Sequence, residues 1–337
     1  MKMLRSVELR PYNTMRINAT AINLYIIKQI MDLRQLSLST PECIKSGLVV
    51  GGGSNILLIK NQFDYVMLNK ITGIEIVDDN AHTITLRVGA GEHWDNFVKY
   101  CVENKYYGLE NLSLIPGSVG AAPIQNIGAY GVEINEFIEW VEVWDRQLST
   151  THRINNSECD FSYRHSRFKT DWKDKYIITH VGLRLHKQPS FNLSYPALAN
   201  HLSTLQLTHS AQNIRDAVIS IRQTKLPDPN LIPNTGSFFK NPIITAECYH
   251  TLKQTHPNMP GYPITKTTIK LPAAWLIENC GFKGKQLGQA GVHANQALVL
   301  INLGKADGHD ILQLAQLIQK TIKHKFTIDL DFEVNIL

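Results

Sequence analysis

The segment 234–242 places a hydroxyl where it can act as an acid. Ser237 follows Gly236 directly and precedes the aromatic pair Phe238 and Phe239. Glycine allows backbone angles that other residues avoid and adds no side chain, so a serine behind it can approach a ligand closely. This arrangement suits a proton donor beside a flat cofactor. Because Asn, Gly, Ser and Pro are also ordinary turn residues, a plain turn between strands fits the segment as well.

Two further charged residues are candidates for the same chemistry. Arg164 lies in a segment, 161–169, where basic and aromatic residues interleave, and a guanidinium matches the planar fork of a carboxylate. Glu333 lies in the segment 326–337, where apolar and polar residues alternate as in a strand with one buried face. Taken alone, the two residues also fit a surface or ion-paired arginine and a solvated strand edge.

Two glycine-rich stretches predict contact with an extended ligand. Gly51–Asn55 joins two short apolar runs, and successive glycines let backbone N–H groups converge on phosphate oxygens. This stretch is neither G-x-G-x-x-G nor a Walker loop, and a glycine-rich hairpin without a ligand explains it equally well. The second stretch, 108–131, reads as a long ordered loop. Loops longer than ~12 residues within a compact domain are usually functional, which favours cofactor contact over a linker.

Composition places the chain among ordinary globular proteins. Its 337 residues predict two or three domains, given ~100–200 residues per domain, and 43% are hydrophobic and 19% charged. The five cysteines are scattered without a C-x-x-C pair, which indicates reduced thiols in a cytoplasmic protein. We expect no bound metal, no signal peptide and no membrane span, because neither a ligand cluster nor a long apolar run is present.

Charge excludes one class of partner and permits another. The formal net charge of +5 is a mild excess that suits an anionic substrate. No dense Lys/Arg run occurs, and Lys320–Lys325 is typical of the basic last turn of a helix. The interleaved segment 161–169 has no basic support elsewhere, so we predict no nucleic-acid partner.

Hydrophobic periodicity predicts the elements that position these residues. Helices are expected at 21–36, with Thr20 as the cap, and at 94–102, 213–222, 272–280 and 311–322. Strands are expected at 83–88, 138–144, 177–185 and throughout 326–337. The Pro-containing break at 222–229 predicts the main domain boundary.

In combination these motifs resemble one enzyme family, the UDP-N-acetylenolpyruvoylglucosamine reductases. The resemblance runs in order from about Asn13 to Glu333, and Tyr195 resembles the loop tyrosine of the longer type in that family. The motifs that carry it are Gly51-Gly-Gly-Ser-Asn55, Ile115–Gly120, Pro123–Gly131, Tyr163-Arg164, Lys225–Pro229, Gly236–Pro242 and Glu333.

The resemblance implies a fold and a division of the chain. The fold would be α+β, with a two-part FAD-binding domain of the vanillyl-alcohol-oxidase-like (PCMH-type) kind and a separate α/β substrate-binding domain. The first FAD-binding lobe would comprise 1–70, joined by the C-terminal strand 326–337. The second lobe would comprise 71–224, and the substrate-binding domain 225–325.

The resemblance also implies a reaction. NADPH would reduce noncovalent FAD, which would reduce the enolpyruvyl group of UDP-N-acetylglucosamine enolpyruvate to give UDP-N-acetylmuramate. This is an oxidoreductase step of cytoplasmic peptidoglycan synthesis, and thus of cell-wall biogenesis and division. Ser237 would donate the proton, while Arg164 and Glu333 would stabilise the charge that develops on the substrate. We expect a monomer acting on a small-molecule UDP-sugar.

Binding roles carry over residue by residue from the resemblance. FAD would be held by Gly51, Gly52, Gly53, Ser54, Asn55, Pro116, Gly117, Ser118, Gly120, Ile124, Asn126, Gly128 and Arg222. The nucleotide sugar would be held by Tyr163, Tyr195, Lys225, Asn241 and Gln286. Two other classes stay open from the residues: another FAD oxidase, which need not combine Ser237, Arg164 and Glu333, and a non-catalytic UDP-sugar binder without flavin.

Overall fold

The computed structural model describes residues 1–337, which form two compact units. The first unit comprises Met1–Glu8, Thr20–Gly53 and Gln62–Thr224. The second unit comprises Leu9–Ala19, Ser54–Asn61 and Lys225–Leu337. Neither unit is continuous in sequence. The lobe boundaries implied by the resemblance stay a prediction.

Strands and helices are numbered in chain order. The strands are β1 (Lys2–Glu8), β2 (Thr20–Ile27), β3 (Leu48–Val50), β4 (Ile56–Leu57), β5 (Gln62–Asn69), β6 (Ile74–Asp79), β7 (Thr83–Gly89), β8 (Gly128–Ala129), β9 (Val132–Glu133), β10 (Ile138–Asp145), β11 (Thr150–Asn155), β12 (Tyr176–His186), β13 (Asn234–Ser237), β14 (Ile243–Thr245), β15 (Tyr262–Pro263), β16 (Thr268–Lys270), β17 (Gln286–Leu287), β18 (Ala290–Val292), β19 (Val299–Asn302) and β20 (Asn335–Ile336). The helices are α1 (Ile30–Ser39), α2 (Pro41–Ser46), α3 (Trp94–Glu103), α4 (Pro196–Thr204), α5 (Ala211–Lys225), α6 (Ala246–Thr255), α7 (Ala273–Asn279) and α8 (Gly308–Phe326).

The first sheet of the first unit has the order β1-β2-β5-β3. β1 is antiparallel to β2, while β2, β5 and β3 run parallel. The helix predicted at 21–36 is wrong for its first part, since Thr20–Ile27 is a strand and α1 begins at Ile30. Apolar residues spaced by four fit a helix locally, but hydrogen bonding to a strand on each side decided the outcome.

The second sheet of this unit is antiparallel, with the order β11-β10-β12-β7-β6. Helix α3 packs its apolar stripe into the same core, which contains Trp94, Phe97, Leu86 and Val88. The strands predicted at 83–88, 138–144 and 177–185 and the helix at 94–102 are confirmed by β7, β10, β12 and α3. Helices α4 and α5 share a smaller cluster of buried residues with Tyr130 at its border.

The second unit contains two antiparallel sheets, ordered β13-β19-β18-β17 and β14-β16-β15, and the parallel pair β20-β4. β3 and β4 therefore lie in different sheets, and Gly51–Asn55 is not the turn of a hairpin. Helix α8 packs against β18 and β19. No helix of the chain has both the length and the apolar character that spanning a membrane demands.

The segment 326–337 departs from the predicted strand. Helix α8 continues to Phe326 and ends at Thr327, which has left-handed backbone angles. Its last turn is basic, as predicted, with Lys323, His324 and Lys325. Beyond it the backbone is extended with only a two-residue strand, although Ile328, Leu330 and Val334 are buried as the alternation indicates.

Candidate active site

The two glycine-rich stretches of the first unit lie side by side. A Cβ on Gly51 would sit 2.3 Å from the Ser118 Oγ, and one on Gly52 would sit 2.7 Å from the Gly117 Cα. Real Cβ atoms do not approach backbone atoms so closely, so only glycine fits at Gly52. The main chains of the two stretches therefore meet without a side chain between them, and main-chain concavities of this kind can bind phosphate.

The rest of the second stretch is held by both main-chain and side-chain hydrogen bonds. Gly120 donates its N–H to the Ala90 carbonyl at 2.9 Å. Asn126 is fully buried, and its amide donates to Glu133 Oε2 at 2.7 Å and to the Ser162 carbonyl at 3.1 Å. These bonds occupy both N–H donors of Asn126. Its side chain therefore shapes the loop from within, and its backbone has the positive φ of +46.

Arg164 is fixed to this same loop. Its guanidinium donates to the carbonyl oxygens of Gly128 and Asn126, the latter at 3.4 Å. Its carbon Cζ lies 5.3 Å from the centre of the Tyr163 ring. Two residues further on, Ser166 donates to the Ile124 carbonyl at 2.6 Å. The structure thus brings the predicted pair Tyr163 and Arg164 to the predicted cofactor loop.

Arg222, near the end of α5, has an unusual environment. Its Nε atom is buried and has no hydrogen-bond partner. Burial lowers its pKa from the ordinary value; the charges of Tyr130 and Asp95 oppose this, and that of Arg164 adds to it. A buried N–H without an acceptor costs about 1–3 kcal/mol. Arg222 is therefore suited to receive an acceptor from a ligand, and a second guanidinium nearby favours an anionic one.

Tyr130, at the end of the second glycine-rich stretch, packs against Tyr195, and only Tyr195 was predicted as a site residue. Tyr195 is 43% exposed, and its ring meets that of Tyr130 edge to face with centroids 5.2 Å apart. The Asn111 amide donates to the Tyr130 carbonyl and to the Asn192 carbonyl, both at 2.9 Å. Tyr130 was missed because a motif of glycines and small residues gives no reason to single out its one aromatic side chain.

In the second unit, Ser237 and Glu333 are held on adjacent lengths of chain. The Glu333 N–H donates to the carbonyl of Phe238, the residue after Ser237, at 2.9 Å. Phe332 and Phe239 form an isolated β-bridge, and their ring centroids are 5.7 Å apart. The stretch of backbone before Ser237 needs glycine, since Gly236 has φ +70. Two of the three predicted catalytic residues are thus neighbours.

Asn55 belongs to the same neighbourhood. The motif Gly51–Asn55 crosses from the first unit to the second between Gly53 and Ser54. In the second unit, the Asn55 amide donates to the Glu333 carbonyl at 3.4 Å, and the Asn55 carbonyl accepts from the Asn335 N–H at 3.1 Å. Within the second unit, the end of this motif therefore lies beside the segment that carries Glu333.

The remaining substrate candidates are more dispersed. Asn241 Oδ1 accepts from the Ala273 N–H at 2.9 Å and so caps helix α7. Lys225 is exposed at the end of α5. Gln286 is exposed on β17, the edge of its sheet opposite the strand β13 that ends at Ser237. Three strand spacings of about 4.8 Å separate those two edges.

Comparison with known proteins identifies the family. Residues 45–155 match an FAD binding domain, and residues 228–337 match the UDP-N-acetylenolpyruvoylglucosamine reductase C-terminal domain. The UDP-N-acetylenolpyruvoylglucosamine reductase of Amoebophilus asiaticus is 45% identical over 338 residues, covering 100% of both chains. The chain belongs to this reductase family. The reductase of Porphyromonas gingivalis is also 45% identical, over 86% of this chain and 85% of its own.

Solved structures support the reductase fold. The UDP-N-acetylenolpyruvylglucosamine reductase of Thermus caldophilus matches with a TM-score of 0.67 and 22% identity, covering 99% of this chain and 98% of its own. p-Cresol methylhydroxylase matches with a TM-score of 0.52 and 11% identity, covering 97% and 84%. The predicted fold class is confirmed: an FAD-binding domain of the PCMH-type joined to a reductase C-terminal domain.

As a reductase of this family, the chain is a flavin-dependent oxidoreductase, and the residues described fit FAD. The paired glycines at Gly52 and Gly117 leave a main-chain cradle in the first unit that a single Cβ would fill. Arg222 offers a buried N–H that lacks an acceptor. A dinucleotide with a diphosphate supplies acceptors and negative charge of the kind that these groups lack.

Proposed function

We propose that this chain reduces the enolpyruvyl group of UDP-N-acetylglucosamine enolpyruvate with electrons from NADPH, giving UDP-N-acetylmuramate and NADP⁺. The observation that carries the proposal is the attachment of Arg164 to the glycine loop of an FAD-binding domain. The enolpyruvyl group carries a carboxylate, so its binding beside the flavin requires a cation such as Arg164. The family-wide similarity along the full chain supports the same reaction.

Bound FAD would supply the hydride that the methylene carbon of the substrate receives. Negative charge then develops at the adjacent carbon and spreads into its carboxylate. Arg164 holds that carboxylate with a guanidinium whose plane is already fixed by two main-chain carbonyls. Preorganised charge of this kind is often the largest contribution to catalysis. The backbone of Arg164, with φ +53, is strained, as residues at functional sites often are.

Ser237 then donates its proton to the carbon that carries the developing charge. A serine hydroxyl is a weak acid, so its contribution depends on position and neighbours. The half-buried carboxyl group of Glu333 lies on the neighbouring length of chain and supports the proton transfer. Tyr163, Tyr195, Lys225, Asn241 and Gln286 bind the nucleotide sugar in this proposal.

The two half-reactions, reduction of the flavin by NADPH and its reoxidation by the enolpyruvyl sugar, can be measured separately, and Ser237 acts only in the second. We expect Ser237→Ala to leave flavin reduction by NADPH within about threefold of wild type and to slow reoxidation by the enolpyruvyl sugar at least 100-fold, in the range of general acid catalysis. Stopped-flow absorbance of the flavin measures both rates. Thr235→Val, which removes the other hydroxyl of the same strand, is the matched control and should change neither rate.

The same experiment distinguishes the rival classes. Reoxidation of Ser237→Ala at the wild-type rate would show that another group donates the proton. An FAD oxidase would be reoxidised by oxygen alone, without the sugar, and a UDP-sugar binder would carry no flavin at all. We further propose that the enzyme acts in the cytoplasm and that it is a monomer. Light scattering of the purified holoenzyme tests the oligomeric state.

A further inference from the structure

Asp95, in the first turn of α3, links two parts of the first unit. Its Oδ1 and Oδ2 accept from Arg215 Nη1 and Nη2 at 2.7 and 2.8 Å, a two-pronged pair between α3 and α5. Oδ1 also accepts from the backbone N–H of Leu114. Both side chains of the ion pair are largely buried, with 16% of Asp95 and 7% of Arg215 exposed.

Leu114 lies two residues before the cofactor loop that begins at Pro116, and its backbone is held in an unfavourable conformation. Its φ is +57, in the left-handed region that costs a residue with a side chain roughly 1–2 kcal/mol. Trp94, beside Asp95, donates two further hydrogen bonds, one to the loop and one to the residues before it. Its backbone N–H donates to the Gly117 carbonyl at 3.1 Å, and its Nε1 donates to the Leu112 carbonyl at 2.8 Å. The start of α3 therefore holds the chain on both sides of Pro116.

The other partner of Asp95 leads to Arg222. Arg215 and Arg222 are seven residues apart in α5, which is about two turns, so they lie on the same side of that helix. The negative charge of Asp95 also acts on Arg222, raising its pKa against the effect of burial. One carboxylate thus holds the residue that leads into the cofactor loop and also acts electrostatically on Arg222, whose buried Nε has no hydrogen-bond partner.

We propose that Asp95 is a positioning residue for the cofactor: by accepting the Leu114 N–H it presets the loop that binds FAD, while its ion pair with Arg215 joins α3 to α5 and serves the stability of the unit. The inference rests on the assignment of the loop 116–128 to FAD. A merely structural role for the ion pair would concern the stability of the unit. The contact with Leu114 adds a dependence of FAD affinity on the acceptor at position 95.

Two double substitutions separate these roles because neither contains the ion pair. D95N/R215Q keeps an amide oxygen that can accept from Leu114, whereas D95L/R215L fills the space with apolar atoms and removes the acceptor. Replacing a buried ion pair by apolar residues is often neutral for stability, but a buried N–H without an acceptor is not. The Kd for FAD is measured by quenching of flavin fluorescence as the apoprotein is titrated, with thermal unfolding of each apoprotein alongside.

We expect D95N/R215Q to bind FAD within threefold of wild type and D95L/R215L to bind it at least tenfold more weakly. Equal affinities in the two variants would overturn the proposal. Absence of FAD binding by the wild-type chain would instead overturn the cofactor assignment on which it rests.

Hydrogen exchange of the wild-type apoprotein gives a second test that does not depend on the folding of a variant. A preset loop predicts that the Leu114 amide is protected before FAD is added. Exchange of that amide at the unprotected rate in the apoprotein, with protection only after FAD binds, would show that the cofactor orders the loop and would overturn the proposal.

Discussion

Two partly buried groups of charged residues in the first unit differ in whether the protein itself supplies their hydrogen-bond partners. In the sheet of β10, β12 and β7, Arg87 Nη2 donates to Glu142 Oε1 at 2.7 Å, and His180 Nδ1 lies 3.0 Å from the same oxygen. Thr179 donates to the Glu142 carbonyl at 3.1 Å. We call this set the sheet network. Its charges compensate one another within the protein.

The loop cluster is formed by Arg164, Arg222 and Tyr130. It contains two guanidinium groups and no carboxylate, so its charges do not compensate one another. Arg222 keeps a buried nitrogen without a partner, and the charge of Arg164 acts on it unfavourably. Arg164 and Tyr130 both have positive φ angles. Local rules are usually broken where a protein binds or reacts. The difference indicates that the sheet network serves the fold, whereas the loop cluster is suited to binding an anionic ligand.

Acid should affect the sheet network most strongly. Burial raises the pKa of Glu142, but hydrogen bonds and charges from His180 and Arg87 outweigh it and hold the pKa at about 2. Because this folded-state pKa is depressed, the stabilisation is fully present above the ordinary value of about 4.5 and is lost as the pH falls towards 2. The loss amounts to about 3 kcal/mol of unfolding free energy.

Urea unfolding between pH 5 and pH 2.5 measures that effect. Glu142→Gln cannot titrate and is the matched control, so its stability should depend less steeply on pH across this window. An identical slope for wild type and Glu142→Gln would place the acid sensitivity elsewhere in the chain.

Breaking the sheet network should cost stability without changing cofactor binding. Arg87→Met leaves Glu142 with fewer donors, and we expect unfolding to become easier by about 2 kcal/mol. Arg153→Met is the control, because Arg153 stands 3.7 Å from the same carboxylate with 52% of its side chain exposed and should contribute under about 1 kcal/mol. If Arg87→Met weakened FAD binding, the separation between the two clusters would be wrong.

The loop cluster should respond in the opposite way. Arg222→Met removes a buried charge that lacks a full set of partners, so the apoprotein should not lose stability. FAD affinity should fall by about tenfold, the cost of one charged hydrogen bond. Isothermal titration of the apoprotein with FAD gives the affinity, and thermal unfolding gives the stability. A destabilised apoprotein with unchanged affinity would make Arg222 a structural residue.

Local patterns predicted the elements whose partners lie on one side. The alternation in β7 and the stripe of α3 are visible in sequence because each buries a single face. β2 misled the helix prediction because Ile22, Ile26 and Ile30 carry helical spacing, while pairing with β1 and β5 comes from residues distant in the chain. Likewise, the segment 326–337 alternates in burial without forming a long strand.

The candidate site was likewise predictable from the sequence only in part. The motif residues could be named from sequence, but contacts such as that of Arg164 with Gly128 require the fold. Asp95 was missed because its helix presents a clear apolar stripe, and a carboxylate on the other side of such a helix has the pattern of an ordinary solvated residue. Its buried partner, Arg215, lies 120 residues away.

The discontinuity of the second unit has a consequence for how the chain folds during its synthesis. Its pieces Leu9–Ala19 and Ser54–Asn61 are synthesised long before β20, the parallel partner of β4, in which Asn335 pairs with Ile56. β4 therefore leaves the ribosome well before the strand with which it pairs. Neither unit can be excised by a single cut, and a nascent chain stalled before β20 would leave the backbone of β4 without its parallel neighbour.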